Sequence, residues 1–223
     1  MRMVEAASGT IRIDGIDIST IGLHDLRSHI SVIPQNPALF EASIRENLDP
    51  YKQFTDDELW EAIRAAQVDE FINTPTRNFV EKTEKELDEI ADTDSNYGPW
   101  IQGVGLDKWV EHNGQNFSIG QQQLISLCRA LLWKRKIVVL DEATANVDSK
   151  TDAIMQKIIR SKFNDSTVLT IAHRLDTIMD SDRILVIDQG KAVEFDTPKM
   201  LLADKDSYFA RLVESMKLNQ GAP

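Results

Sequence analysis

The run Ile137-Val138-Val139-Leu140-Asp141-Glu142 carries an aliphatic stretch directly into two adjacent carboxylates. In an open α/β sheet, ligands bind beyond the carboxyl ends of the strands. Carboxylates placed there can hold a hard divalent cation such as magnesium, or polarise an attacking water. Alternation along a strand sends the two side chains in different directions, so one acid can take each task. The same Asp-Glu pair also suits the cap of a following helix, and the dipeptide alone leaves both readings open.

Three further places could take part in the same chemistry. Asn116-Phe117-Ser118-Ile119-Gly120-Gln121-Gln122-Gln123 sets a Ser and a Gly at the start of a helical pattern. Free backbone N–H groups, the helix dipole and a Ser hydroxyl make an anion site there, with phosphate the obvious anion; an ordinary Ser N-cap is the plainer alternative. In Thr170-Ile171-Ala172-His173-Arg174 a His follows an aliphatic strand, at the same sheet end as Asp141 and Glu142. It could touch a terminal phosphate or be structural. Gln35 lies just beyond a strand stopped by Pro34, where an amide oxygen can ligate magnesium or hold a water.

These side chains need elements to place them. Thr10 to Ile13 and Ile16 to Ile18 flank Asp14-Gly15, a hairpin signal. Ile30 to Ile33, Lys136 to Leu140 and Thr167 to Ile171 read as short buried strands. Thr55-Asp56-Asp57-Glu58 is a capping box ahead of Leu59, Ile63, Ala66 and Val68. Leu124, Leu127, Cys128 and Leu131 keep the spacing of a helix buried on one face. Thr151 to Lys162 is helical, with Ile154, Ile158 and Ile159 inward. Ile184 to Ile187 and Ala192 to Phe195 form a second hairpin about Gln189-Gly190, and Tyr208 to Met216 a terminal amphipathic helix. Strands alternating with helices predict an α/β domain with a mainly parallel central sheet.

Composition narrows the classes. The 223 residues carry 25 Lys and Arg against 36 Asp and Glu, a net charge of −11. That balance disfavours sequence-independent binding to nucleic acid. About half of the excess lies between Glu81 and Asp94, in an insertion-like stretch from Thr74 to about Lys108, read as partly helical around Glu81 to Ile90. A solvated surface loop is its plain reading, a regulatory docking segment the alternative. The single Cys128 excludes an internal disulfide and a multi-cysteine zinc site.

In order and wording these motifs resemble the nucleotide-binding domain of ATP-binding cassette (ABC) transporters. Val32-Ile33-Pro34-Gln35 resembles the strand and Q-loop, and Phe117-Ser118-Ile119-Gly120-Gln121 the signature, usually Leu-Ser-Gly-Gly-Gln. Ile137 to Glu142 resembles the Walker B strand with its catalytic Glu, Ala145-Asn146-Val147-Asp148 the D-loop, and His173 the H-loop histidine. Ser8 to Ile18 and Asn36 to Phe40 are similar to exporters. Ser43 to Pro50 and Ala143 to Asp148 are most similar to the second nucleotide-binding domain of the multidrug-resistance-associated (C) subfamily.

The resemblance implies a P-loop NTPase-like ABC ATPase fold over residues 1–223, with a helical signature subdomain at about 36–132 and an insertion at about 76–108. It implies ATP and Mg2+ as cofactors. Glu142, His173 and Gln35 would be catalytic, Asp141 and Gln35 metal-binding, and Ser118, Gly120, Gln121 and Asp148 nucleotide-binding. The implied partners are a second nucleotide-binding domain, closing head to tail, and transmembrane domains, placing the chain at the cytoplasmic face of a membrane; no nucleic acid is implied. The expected phosphate loop, G-x-x-x-x-G-K-S/T, does not occur in the 223 residues. The domain is therefore expected to be N-terminally truncated and the isolated chain weakly active or inactive, with Ser118, Gly120, Gln121 and Asp148 left to act in trans.

Overall fold

A computed structural model describes residues 1–74, 103–171 and 174–220. Its centre is a parallel three-stranded sheet of β3 (Ile30–Ile33), β6 (Ile137–Asp141) and β7 (Thr167–Ile171), with β6 in the middle. Ile33 pairs with Leu140, and Asp141 with Ile171, so all three strands point their carboxyl ends the same way.

The two faces of this sheet differ. Ile33, Val138 and Leu140 are buried on one face, in a cluster with Leu124, Ile125, Leu127, Cys128, Met155 and Ile158. Those partners come from α5 (Ile119–Trp133) and α6 (Ser149–Lys162). On the other face Val32, Val139 and Leu169 stand in register, with Val32 38% and Leu169 54% exposed; Ile171 is 55% exposed.

α5 also packs on α3 (Asp56–Ala65). The Thr55 capping box forms as expected: the Thr55 hydroxyl accepts from Glu58 N–H, and the Glu58 carboxylate accepts from Thr55 N–H at 2.8 Å. Leu59 and Ile63, four apart, are fully buried. At its far end α5 stops at Lys134, whose left-handed φ of 46° breaks the helical path.

β1 (Arg12–Ile13) and β2 (Ile16–Asp17) make the first hairpin. Its turn has Asp14 and Gly15 both at positive φ, as a tight primed turn requires. Each strand is shorter than expected, because Ile18 already begins a 3-10 turn capped by Asp17. β8 (Ile184–Asp188) and β9 (Lys191–Asp196) pair antiparallel and hold a second buried cluster of Ile184, Leu201, Phe209 and Val213. Leu201 belongs to α8 (Pro198–Ala203), and Phe209 and Val213 to α9 (Tyr208–Gln220), a helix longer than the periodicity suggests.

Three short elements carry no clear sequence signal: α1 (Leu23–Ser28), α4 (Asp69–Asn73) and α7 (Leu175–Ile178), whereas α2 (Ile44–Leu48) starts at a Ser43–Glu46 capping box. A two-stranded ribbon of β4 (Ala42–Ser43) and β5 (Trp109–Val110) joins distant segments. Lys108 is buried beside it, donating to the carbonyls of Phe71 and Thr74 at 2.8 and 2.6 Å at the end of α4. Burial lowers its pKa, and the carbonyls stabilise its charge. The acidic run Glu81 to Asp94 and the helix expected near Glu81 to Ile90 lie outside the described residues.

Candidate functional site

Asp141 ends β6 on an exposed position, and Glu142 follows it outside the strand. The two acids were expected to diverge by strand alternation. The strand ends at Asp141, and the chain turns at Glu142, whose φ of +47° is a left-handed conformation that costs a non-glycine residue about 1–3 kcal/mol. Its N–H donates to Ile171 O at 2.9 Å, which ties the turn to the end of β7. Alternation along β6 still sets Asp141 on the same face as Val139, the open one.

Gln35 meets Glu142 directly. Its Nε2 donates to Glu142 Oε2 at 2.8 Å, across the carboxyl ends of neighbouring strands β3 and β6. A Gln whose nitrogen is committed to one carboxylate keeps its oxygen as an acceptor, turned away from that bond. His173 and Ala172 lie outside the described residues. Arg174, next along, pairs with the buried Asp152 of α6 at 3.0 Å, so the chain leaving β7 is fastened to α6.

Ser118, Gly120 and Gln121 assemble at the start of α5. The Ser118 hydroxyl accepts from Gln121 N–H at 3.2 Å, and Gln121 Oε1 accepts from Ser118 N–H at 3.0 Å. This capping box occupies the backbone N–H groups of Ser118 and Gln121 and leaves the Ser118 O–H, the Gln121 side-chain N–H groups and the backbone N–H groups of Ile119 and Gly120 as donors, a set suited to an anion.

Asp148 sits close by in the fold. A Cβ added at Gly120 would lie 3.0 Å from Thr151 Cγ2, so the start of α5 approaches α6 closely and a side chain here would have to displace Thr151 by a few tenths of an ångström. Thr151 N–H in turn donates to Asp148 Oδ1 at 3.0 Å, as does Lys150 N–H at 3.2 Å. Those bonds, the one from Thr151 first, hold the Asp148 carboxyl below its ordinary pKa. The helix starts that carry Ser118 and Asp148 are thus joined through Gly120 and Thr151.

Two residues outside the expected set bind the halves together. Gln123, 1% exposed, donates from Nε2 to Pro34 O at 3.0 Å and to Gln35 O at 2.8 Å. Arg129 donates to Ala38 O and Asn47 O at 2.7 and 2.6 Å, holding the chain beyond Gln35 against α5. The available signal was a pair of polar residues on the buried face of an otherwise apolar helix. Cys128 is inert by contrast, its thiol pushed up to about 12 by burial.

For a divalent cation at this sheet end, Asp141 and the Gln35 oxygen would be the donors. No group of three or more His, Cys, Asp or Glu converges among the described residues. Magnesium accepts such a site, since it keeps waters and phosphate oxygens beside one or two protein ligands, whereas structural zinc does not.

A parallel α/β sheet with carboxylates at its carboxyl end and a donor-rich helix start beside it defines a nucleotide-handling class of domain. The description "ABC transporter" matches residues 1–145. The chain is 52% identical over 212 residues to the maize protein "ABC transporter C family MRP4", covering 95% of this chain and 12% of that one. It is 51% identical over the same length to rice "ABC transporter C family member 13", again 95% and 12%. To Arabidopsis "ABC transporter C family member 5" it is 49% identical over 95% of this chain and 12% of that protein. The chain belongs to the ABC transporter family, with the P-loop NTPase type of fold. It spans about an eighth of the length of these relatives. No described helix is long and apolar enough to cross a membrane.

Proposed function

We propose that the chain is part of an ATP-binding and ATP-hydrolysing domain of a C-subfamily ABC exporter, coupling ATP use to transport across a membrane. The observation that carries this reading is the pairing of two half-sites: Gln35 on Glu142 at 2.8 Å, and Ser118, Gly120, Gln121 and Asp148 grouped at two helix starts. Glu142 is the base that polarises the attacking water, and Gln35 orients it. Asp141 and the Gln35 oxygen would hold Mg2+, which when bound neutralises phosphate charge. His173 completes the set beside the terminal phosphate. Ser118, Gly120 and Gln121 donate to the phosphates of an ATP held by a second nucleotide-binding domain, with Asp148 across the interface. The domain sits at the cytoplasmic face, carried by transmembrane domains.

The 223 residues contain no G-x-x-x-x-G-K-S/T. The backbone cradle and Lys that would supply most phosphate contacts are therefore not among them. The isolated chain is accordingly weakly active or inactive. A second reading, favoured by the grouping of Ser118, Gly120, Gln121 and Asp148 at two adjacent helix starts, is a non-hydrolysing partner or regulatory module that supplies the signature in trans. The test is to mix the chain with an ABC nucleotide-binding domain whose phosphate loop is intact. An ATP-dependent complex, with no turnover by the chain alone, is expected. Magnesium-dependent turnover by the chain alone, abolished by Glu142→Gln, would overturn the inactive half of the reading. Absence of any ATP-dependent complex would overturn the rest.

A further inference from the structure

The loop after β3 is held mainly by α5. Gln123 and Arg129 together take the carbonyls of Pro34, Gln35, Ala38 and Asn47, and all four acceptors are backbone. The Gln35 side chain then points the other way, to Glu142. We propose that Gln123 is a positioning residue: its amide nitrogen clamps the carbonyls of Pro34 and Gln35 and so sets the Gln35 amide on Glu142. It thereby links the helix that begins at Ser118 to the carboxylate of the same chain. The proposal rests on the ATPase reading for the meaning of that link, not for the link itself.

Three observations support it. First, the two acceptors fix the chemistry. Only a side chain with two N–H donors on one nitrogen can serve both carbonyls at 2.8 and 3.0 Å, and a carboxylate would repel them. Second, Gln123 is 1% exposed and its Oε1 has no hydrogen-bond partner among the described residues. An apolar side chain would spare that oxygen but leave the two backbone carbonyls without their donor, so what the amide contributes here is its hold on Pro34 and Gln35. Third, the clamp acts on the residue that matters. One of its acceptors is the carbonyl of Gln35 itself, and the other is the carbonyl just before it, which leaves the backbone little freedom to rotate the amide away from Glu142.

The link makes the Gln35–Glu142 contact sensitive to the signature helix. Gln123 lies two residues beyond Gln121, on the same rigid element as Ser118 and Gly120. A tilt of α5 on engaging an anion at its start would be transmitted through two hydrogen bonds to Gln35.

The experiment is nuclear magnetic resonance on the full 223-residue chain without nucleotide, following the Gln35 side-chain amide. Gln35→Ala assigns the signal, and Glu142→Gln gives its position when the carboxylate acceptor is gone. Gln123→Met keeps the volume and removes the donors. The expected result is loss of most of the displacement that Glu142 imposes on the Gln35 amide, with the methyl signals of Ile33, Val138 and Leu140 unmoved. An unmoved Gln35 amide in a folded Gln123→Met chain would overturn the proposal. Should that variant not fold, the unmutated chain still decides. The Gln123 side-chain amide should exchange with solvent at least about tenfold more slowly than that of the exposed Gln115; equal rates would overturn the clamp. Because no nucleotide is present, this result is separate from the formation of an ATP-dependent complex, and either reading can fail without the other.

Discussion

The two faces of the β3–β6–β7 sheet serve the site in different ways. One face is sealed against α5 and α6, and these helices present Ser118, Gly120 and Asp148 at their starts. The other face leaves Val32, Leu169 and Ile171 exposed and carries Asp141 at its edge. A parallel sheet is ordinarily covered on both faces. The helix-start half of the site is therefore supported within the chain, while the carboxylate half stands on a sheet packed from one side.

The largest expected effects separate the two faces. Leu140→Ala and Ile33→Ala should each cost about 2–5 kcal/mol in urea unfolding, since both are buried in the packed face. Leu169→Thr and Ile171→Thr should change stability by no more than about 0.5 kcal/mol, as exposed positions do. Similar costs on both faces would break the comparison.

Next comes the junction of the helix starts. Gly120→Val must push Thr151 aside and should cost about 1–3 kcal/mol in thermal unfolding. It should also weaken ATP-dependent association with a partner domain. Ser118→Ala removes the cap of α5 at a cost of about 1 kcal/mol and removes a donor for the anion. Association should fall further than that loss of stability explains.

The smallest effect is a pH dependence. The Asp148 carboxyl titrates lower in the folded chain than the ordinary 3.8. Its contribution is then fully present above the unfolded pKa and is lost as pH falls through the folded one, below about pH 4. Asp148→Asn should flatten that part of the melting profile, with its difference from the unmutated chain largest at neutral pH and shrinking as pH falls below about 4.

Much of this arrangement is legible in the sequence because it is local. The aliphatic runs that become β3, β6 and β7 are short and bounded, and the Thr55 and Ser118 caps each span four residues. The contacts that finish the site are not local. Nothing in a Glu announces a φ of +47°, which the bond from Glu142 N–H to Ile171 O imposes from another strand. Gly120 reads as a helix-start glycine, and only the approach of Thr151 shows that a side chain there would be crowded. Gln123 reads as one more Gln in a row of three until its nitrogen is found on Pro34 and Gln35. The Ser43↔Trp109 pairing joins segments whose sequences give no sign of each other.

The most direct test of the account is restoration of activity in trans. The chain is added to an ABC nucleotide-binding domain with an intact phosphate loop and a disabled signature, and magnesium-dependent ATP turnover is measured. The account predicts that turnover rises with added chain and that Ser118→Ala abolishes the rise. Turnover that stays flat while the two proteins form an ATP-dependent complex, or that rises equally with Ser118→Ala, would contradict the assignment of Ser118, Gly120, Gln121 and Asp148 as the trans half of a shared ATP site.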